Sequence, residues 1–265
     1  MKVNIKKDQK IDYIKCIDHN KISDYRYSGK ITSATLQYLK NIVLTRNNVS
    51  LIELDKLAEE FILKNGCTPT FKNYGAGSNG KSFPNSVCLS VYNIMVHGVA
   101  TDYVLRKGDK ISIDLGCTYN GAITDSAITV IIGNYPQLNK LNDACLEALN
   151  KGISAVKIGN KIGCIGSAIY KSAKGNGYNV ITHYGGHGID EKPHAEPFIS
   201  NKASETDGCR IQPGMLLAIE PQLVFGSTDT YVSIDGWSVV SKGIASHWEH
   251  SIYVNPNGDI EVLTK

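Results

Sequence analysis

Three segments that read as β-strands carry an acid among apolar neighbours. In Lys110-Ile111-Ser112-Ile113-Asp114-Leu115, a period of two puts Ile111, Ile113 and Leu115 on one face and Asp114 with Ser112 on the other. Met215-Leu216-Leu217-Ala218-Ile219-Glu220 is an oily run that ends in a carboxylate. In Trp248-Glu249-His250-Ser251-Ile252 the acid shares a face with His247 and Ser251. Asp125 follows Asp114 by eleven positions, a span suited to a hairpin partner. Acids buried together in strands are costly unless paired or bound to a cation, and no arginine lies within these strands to pair them.

Histidines supply the complementary donors. His187 sits in Tyr184-Gly185-Gly186-His187-Gly188, where glycines let backbone crowd close to a site. His194 lies in Pro193-His194-Ala195-Glu196-Pro197 and His97 in Val96-His97-Gly98. Mixed carboxylate and imidazole ligands suit divalent Mn, Fe, Co or Zn. Four acids and one histidine suffice for two such ions sharing bridging carboxylates, roughly 3.5–4 Å apart, a pair that draws the pKa of water down towards about 7.

The elements that must position these groups follow from periodicity. Apolar residues from about Tyr27 to Leu44 recur at helical spacing, and Asn47-Asn48 breaks that helix. Ser50-Leu51-Ile52-Glu53 has the form of a capping box opening a second helix, which Asn65-Gly66 stops. Strands are expected over Ser86–Met95, Lys110–Leu115 and Ala127–Ile132. Two further helices, about Gln137–Val156 and Ile162–Lys174, precede strands at Asn179–His183, Met215–Glu220, Tyr231–Val240 and Trp248–Val254. The order helix, helix, strands thus occurs twice and suggests a duplication. The expected architecture is α+β, with a polar arm over residues 1–24 and one domain over 25–265, its helices covering one face of a largely antiparallel sheet.

Bulk properties set the surroundings. A net charge of +3 is too mild to demand a nucleic-acid partner. The longest apolar run is far too short to span a bilayer, and the Lys-rich opening stretch has no apolar core of a secretion signal. Seven cysteines, an odd number with no C-x-x-C, point to reduced thiols. A cytoplasmic enzyme without a membrane partner is the expectation.

Taken together, Val96-His97-Gly98, Ile113-Asp114, Thr124-Asp125-Ser126, Gly186-His187-Gly188-Ile189, Pro193-His194-Ala195-Glu196-Pro197, Ile219-Glu220-Pro221, Asp235-Gly236-Trp237 and Glu249-His250 resemble the type I methionine aminopeptidases in order and spacing. The resemblance runs from about Tyr27 to Val262 and implies the pseudo-twofold pita-bread fold. It implies that Asp114, Asp125, His187, Glu220 and Glu249 bind two divalent metal ions, with Asp125 and Glu249 bridging. Glu220 would also serve as general base, His194 would hydrogen-bond the substrate carbonyl oxygen, and His97 would contact the scissile amide. Tyr74, Phe83, Cys88 and Trp237 would line the methionine pocket. The implied substrate is the N-terminus of a nascent polypeptide beginning Met-X with X small. A monomer with transient ribosome contact is the family default. Prolidases share the fold but normally carry a long N-terminal domain, and only about 25 residues are expected before the first helix here.

The chain departs from that family in places. Gly75-Ala76-Gly77-Ser78-Asn79-Gly80-Lys81-Ser82 is longer than usual and satisfies the phosphate-loop pattern G-x-x-x-x-G-K-S. A phosphate loop follows a buried strand and opens a helix. Here Thr68–Tyr74 is not an oily strand and Pro84 follows closely, so the expectation is no nucleotide and a mobile loop rimming the pocket. Pro193 stands where the family often has Phe, and Tyr92-Asn93 where it commonly shows Asn-Glu near a monovalent-cation site.

Overall fold

The computed structural model describes residues 16–265. Most of the expected arm lies outside them; its end is a 3-10 turn at His19–Lys21 running into the first helix, which starts at Ile22, earlier than Tyr27. The first half then comprises α1 (Ile22–Thr45), α2 (Leu51–Lys64), β1 (Thr68–Pro69), β2 (Cys88–Val91), β3 (Ile94–Val96), β4 (Lys110–Tyr119) and β5 (Ala122–Ile131). The second half repeats the plan with α3 (Pro136–Ser154), α4 (Gly163–Gly175), β6 (Asn179–Val180), β7 (Gly185–Gly188) and β8 (Ala195–Ser200). It continues through β9 (Leu216–Ile219), β10 (Gln222–Phe225), β11 (Thr230–Val232), β12 (Val239–Ser241), β13 (Ile244–His247), β14 (Glu249–Val254) and β15 (Ile260–Val262).

Local chemistry explains the helix boundaries. Asn48 adopts φ 58° and turns the chain between α1 and α2. Ser50 Oγ accepts the Glu53 N–H at 3.2 Å, which is half of the expected capping box. The Glu53 carboxylate instead reaches Arg46 at 3.6 Å. Pro136 opens α3 at a position where its missing N–H costs nothing.

A nine-stranded sheet forms the centre, in the order β1-β4-β5-β14-β9-β7-β8, with β2 also on β4 and β15 on β14. All strand pairings among the described residues are antiparallel. Leu36, Leu39 and Leu54 of the first helix pair pack on Ile111, Ile113, Leu115 and Ile128. Leu149, Ile165 and Ile169 of the second pack on Leu217, Ile219 and Ile252. Because Glu249 pairs with Ala127, the even-numbered Ile128 and Ile252 share one face, so both helix pairs cover the same side. Each fully buried Leu or Ile contributes about 1.5–3 kcal/mol, which makes a register slip prohibitive: one residue would turn the whole oily row towards the acids.

The expected strands are shortened where the chain bends. The Ser86–Met95 segment splits at Tyr92, which takes φ 54°, and Tyr231–Val240 splits into β11 and β12 around a turn at Asp235 and Gly236. The expected Asn179–His183 strand stops at Val180, and that expected from Trp248 begins at Glu249, one residue after β13 ends.

Candidate metal centre and active site

Register alone carries the acids to one place. Asp114 lies opposite Ala127, and Ala127 opposite Glu249. Asp125, two residues from Ala127, shares that face. On the next strands, Ser251 pairs with Ala218 and Ala218 with His187, so Glu220, two residues on from Ala218, extends the same row. All five expected ligands therefore lie on the side away from the helices. Ligand atoms of Asp114, Asp125 and Glu249 lie within 4.8 Å of one another, and so do those of His187, Glu220 and Glu249, and of Asp125, His187 and His194. Asp125 and Glu249, the two expected bridges, are the carboxylates common to more than one set.

Hydroxyl groups lock this arrangement. Ser251 Oγ donates to the Asp125 carbonyl and accepts the Asp125 N–H, both at 2.8 Å, while Ser126 Oγ donates to the Glu249 carbonyl at 2.6 Å. The backbone carrying two of the acids is thus fixed from both sides.

The carboxylates are left electrically unsatisfied. Among the described residues none of the four acids forms an ion pair with lysine or arginine. Burial, then mutual repulsion, pushes Asp114, Glu220 and Glu249 well above the usual carboxylate range, and burial raises Asp125 to about 7. Asp114 Oδ1, Asp125 Oδ1 and Glu249 Oε1 are buried and have no hydrogen-bond partner among the described residues. Buried oxygens are rarely orphaned; these three, converging beside an imidazole, fit a cage for hard or borderline divalent cations.

The histidines are neutral. His187 Nδ1 lies 3.0 Å from the Gly188 carbonyl, so Nδ1 carries the proton and Nε2 presents a lone pair, 3.4 Å from Glu220. Burial holds its pKa near 3. His194 packs 4.6 Å from His187, ring to ring, and its Nδ1 meets the Tyr74 hydroxyl at 3.1 Å. His97 holds φ 58°, a conformation non-glycine residues adopt rarely and mostly at functional sites. Its ring lies edge-on to Tyr184 and Trp237, and burial lowers its pKa to about 4.

An apolar cluster adjoins the acids. Phe71, Phe83 and Cys88 cluster with Val99 and Trp237, and Cys88 pairs directly with Asp114. Burial first, then the neighbouring acids, push the Cys88 thiol up, which keeps it protonated. Tyr74 stands apart from this cluster, against His194. Two members of this cluster, Phe71 and Val99, were not anticipated, although Val99 shares a parity with His97 two positions before it.

The most consequential residue without an expected role is His247. It is buried, both ring nitrogens lack a hydrogen-bond partner among the described residues, and Nε2 lies 3.4 Å from Glu220 and 3.9 Å from Glu249. Its alternation with Glu249 was visible, but it belongs to β13, separated from β14 by Trp248.

Between Pro69, where β1 ends, and Cys88, where β2 begins, there is neither strand nor helix, so the phosphate-loop pattern lacks both the strand that would lead into it and the helix it would open.

Residues 23–256 match metallopeptidase family M24. The methionine aminopeptidase of Mycoplasma capricolum is 36% identical over 94% of this chain and 97% of its own length. This chain belongs to the type I methionine aminopeptidases. That of Clostridium perfringens is 38% identical, covering 93% of this chain and 97% of that relative. The crystal structure of the methionine aminopeptidase from Rickettsia prowazekii superposes with a TM-score of 0.89 at 30% identity, covering 96% of this chain and all of the other. A Xaa-Pro dipeptidase from Bacillus anthracis shares the fold, with a TM-score of 0.73 at 23% identity, but only 62% of it is covered. The family gives this chain the pita-bread fold and makes it a metal-dependent hydrolase.

Proposed function

We propose that this enzyme hydrolyses the first peptide bond of nascent polypeptides beginning Met-X, with X small, and that Asp114, Asp125, His187, Glu220 and Glu249 hold two divalent ions for the purpose. The observation that carries the reading is the overlap of the ligand sets, in which Asp114 Oδ1, Asp125 Oδ1 and Glu249 Oε1 are buried and have no hydrogen-bond partner among the described residues. Divalent ions bound there supply Lewis acidity and an activated water.

The remaining work falls to this chain's own groups. Glu220 Oε2 is held by Gln222 Nε2 at 2.6 Å, which fixes its carboxylate to accept the proton lost by the attacking water. If the Tyr74 hydroxyl donates to His194 Nδ1, the imidazole keeps its proton on Nε2 and can donate to the substrate carbonyl oxygen as charge builds there. His97, neutral and fixed by its backbone, contacts the scissile amide. The methionine side chain lies against Phe83, Cys88 and Trp237, with Tyr74 at the rim; sulfur packs favourably against such rings.

The setting we propose is the cytoplasm, as a monomer making only transient contact with ribosomes. All seven cysteines are free thiols, in keeping with a reducing compartment, and no described helix is long and apolar enough to cross a membrane. Purified enzyme should release methionine from Met-Ala and Met-Gly peptides and lose that activity on chelation, with recovery on adding Mn, Fe, Co or Zn. Release that persists unchanged in the chelated enzyme would overturn the reading.

A further inference from the structure

We propose that the Gly75–Ser82 loop is a specificity clamp that fixes the Trp237 indole as one wall of the methionine pocket, with Asn79 as its positioning residue. The inference rests on the assignment of that pocket to the substrate's first side chain.

The loop is an excursion closed at its neck by two pocket residues. Phe83 N–H donates to the Tyr74 carbonyl at 2.9 Å, and Asn73 N–H to the Phe83 carbonyl at 2.9 Å. From that neck it folds onto the turn that carries Trp237. Ser78 N–H donates to the Gly236 carbonyl at 2.8 Å, and Asn79 Nδ2 to the Asp235 carbonyl at 2.8 Å. Asn79 Oδ1 meanwhile accepts the Lys81 N–H at 3.0 Å. This places the Lys81 carbonyl to accept from Trp237 Nε1 at 3.0 Å. One side chain thus ties the loop to the turn and shapes the loop that holds the indole.

Contacts on both sides of the ring complete the clamp. A Cβ on Gly77 would lie 2.6 Å from the Gly236 carbonyl oxygen and 2.7 Å from Trp237 Nε1, so only glycine allows this approach. One on Gly236, at φ 83°, would lie 2.5 Å from Asn79 Cγ. On the pocket side, Phe83 meets the indole edge-on at 5.4 Å between centroids. Of the two glycines that imitate a phosphate loop, Gly75 packs on the indole, where a Cβ would lie 3.1 Å from Trp237 Cη2, while Gly80 turns the chain at φ 76° in open space. A pocket distinguishes side chains differing by a methylene only as sharply as its walls are held. Trp237 is partly exposed, and among the described residues only Lys81 of this loop accepts its indole N–H.

The test uses full-length, metal-loaded enzyme and the variants Asn79→Ala and Gly77→Ala. Three readouts are needed: kcat/KM for peptides beginning Met, norleucine or Leu before Ala; acrylamide quenching of tryptophan fluorescence; and manganese affinity by calorimetry. We expect greater quenching, unchanged manganese affinity, and a methionine-to-leucine preference reduced by about tenfold. Preference unchanged within about twofold in a variant whose indole has become quenchable would overturn the proposal. So would loss of manganese binding together with a uniform loss across all three peptides, which would mark the loop as a structural support only. Wild-type enzyme inactive on all three peptides would instead strike at the aminopeptidase reading.

Discussion

His194 shows how much a single side chain can be asked to do here. It stands against His187, is oriented by Tyr74 and opens towards solvent, where a substrate carbonyl would arrive. A donor aimed at charge that develops only in the transition state acts on kcat more than on KM. His194→Ala is expected to lower kcat by about 10²–10³-fold with a small change in KM, measured by steady-state methionine release; unchanged turnover would remove His194 from the chemistry. At this scale the sequence was informative wherever a polar group broke an apolar pattern. Asp114 between Ile113 and Leu115, and Glu220 at the end of an oily strand, announced themselves because alternation assigns a face. His247 was placed on the Glu249 face by the same alternation but given no role, because its approach to Glu220 brings together residues of different strands. Phe71 and Val99 were missed for a plainer reason: an apolar residue beside a site has the same sequence pattern as one anywhere in a core.

Elements convert those faces into coordinates. The β4–β5 hairpin sets Asp114 and Asp125, and β14 bonds to β5 so that Glu249 follows. The His187 strand needs closer contact, and glycines supply it. A Cβ on Gly186 would lie 2.3 Å from the Ala218 carbonyl oxygen. Gly186→Ala should therefore push β7 away from β9, costing about 1–3 kcal/mol and moving His187 out of line. Thermal melting and manganese titration would record a lower Tm and weaker binding; a variant matching the wild type in both would show that the sheet absorbs the methyl group. Helices and the hairpin were legible because each has a period, a cap or a span. Strand ends and the Gly75–Ser82 loop were not. The loop was expected to be mobile, yet it is bonded to the Asp235–Trp237 turn from a distance in sequence that local patterns cannot bridge.

At the scale of the whole molecule, the duplicated halves divide the site between them: β4 and β5 give two acids, and the second half gives His187, Glu220 and Glu249. The duplication was readable as element order, but the meeting of the halves was not, since the β5–β14 seam joins strands remote in sequence. That meeting carries an electrostatic cost. Asp125 has a folded pKa of about 7 against an ordinary value of 3.8, so unfolding releases its proton between those pH values. The metal-free fold therefore loses stability as pH rises through that window. Cations reverse the balance by displacing the protons, so their binding should strengthen with rising pH up to about 7. Calorimetric titration of manganese into chelated enzyme at pH 5.5 to 7.5, in buffers of different ionisation heat, tests this most directly. The expected result is two ions per chain, proton release on binding, tighter binding towards neutral pH, and loss of both sites in an Asp125→Asn, Glu249→Gln variant that still folds. Absence of binding, or binding that the double variant leaves intact, would contradict the claim that these acids are gathered to hold metal.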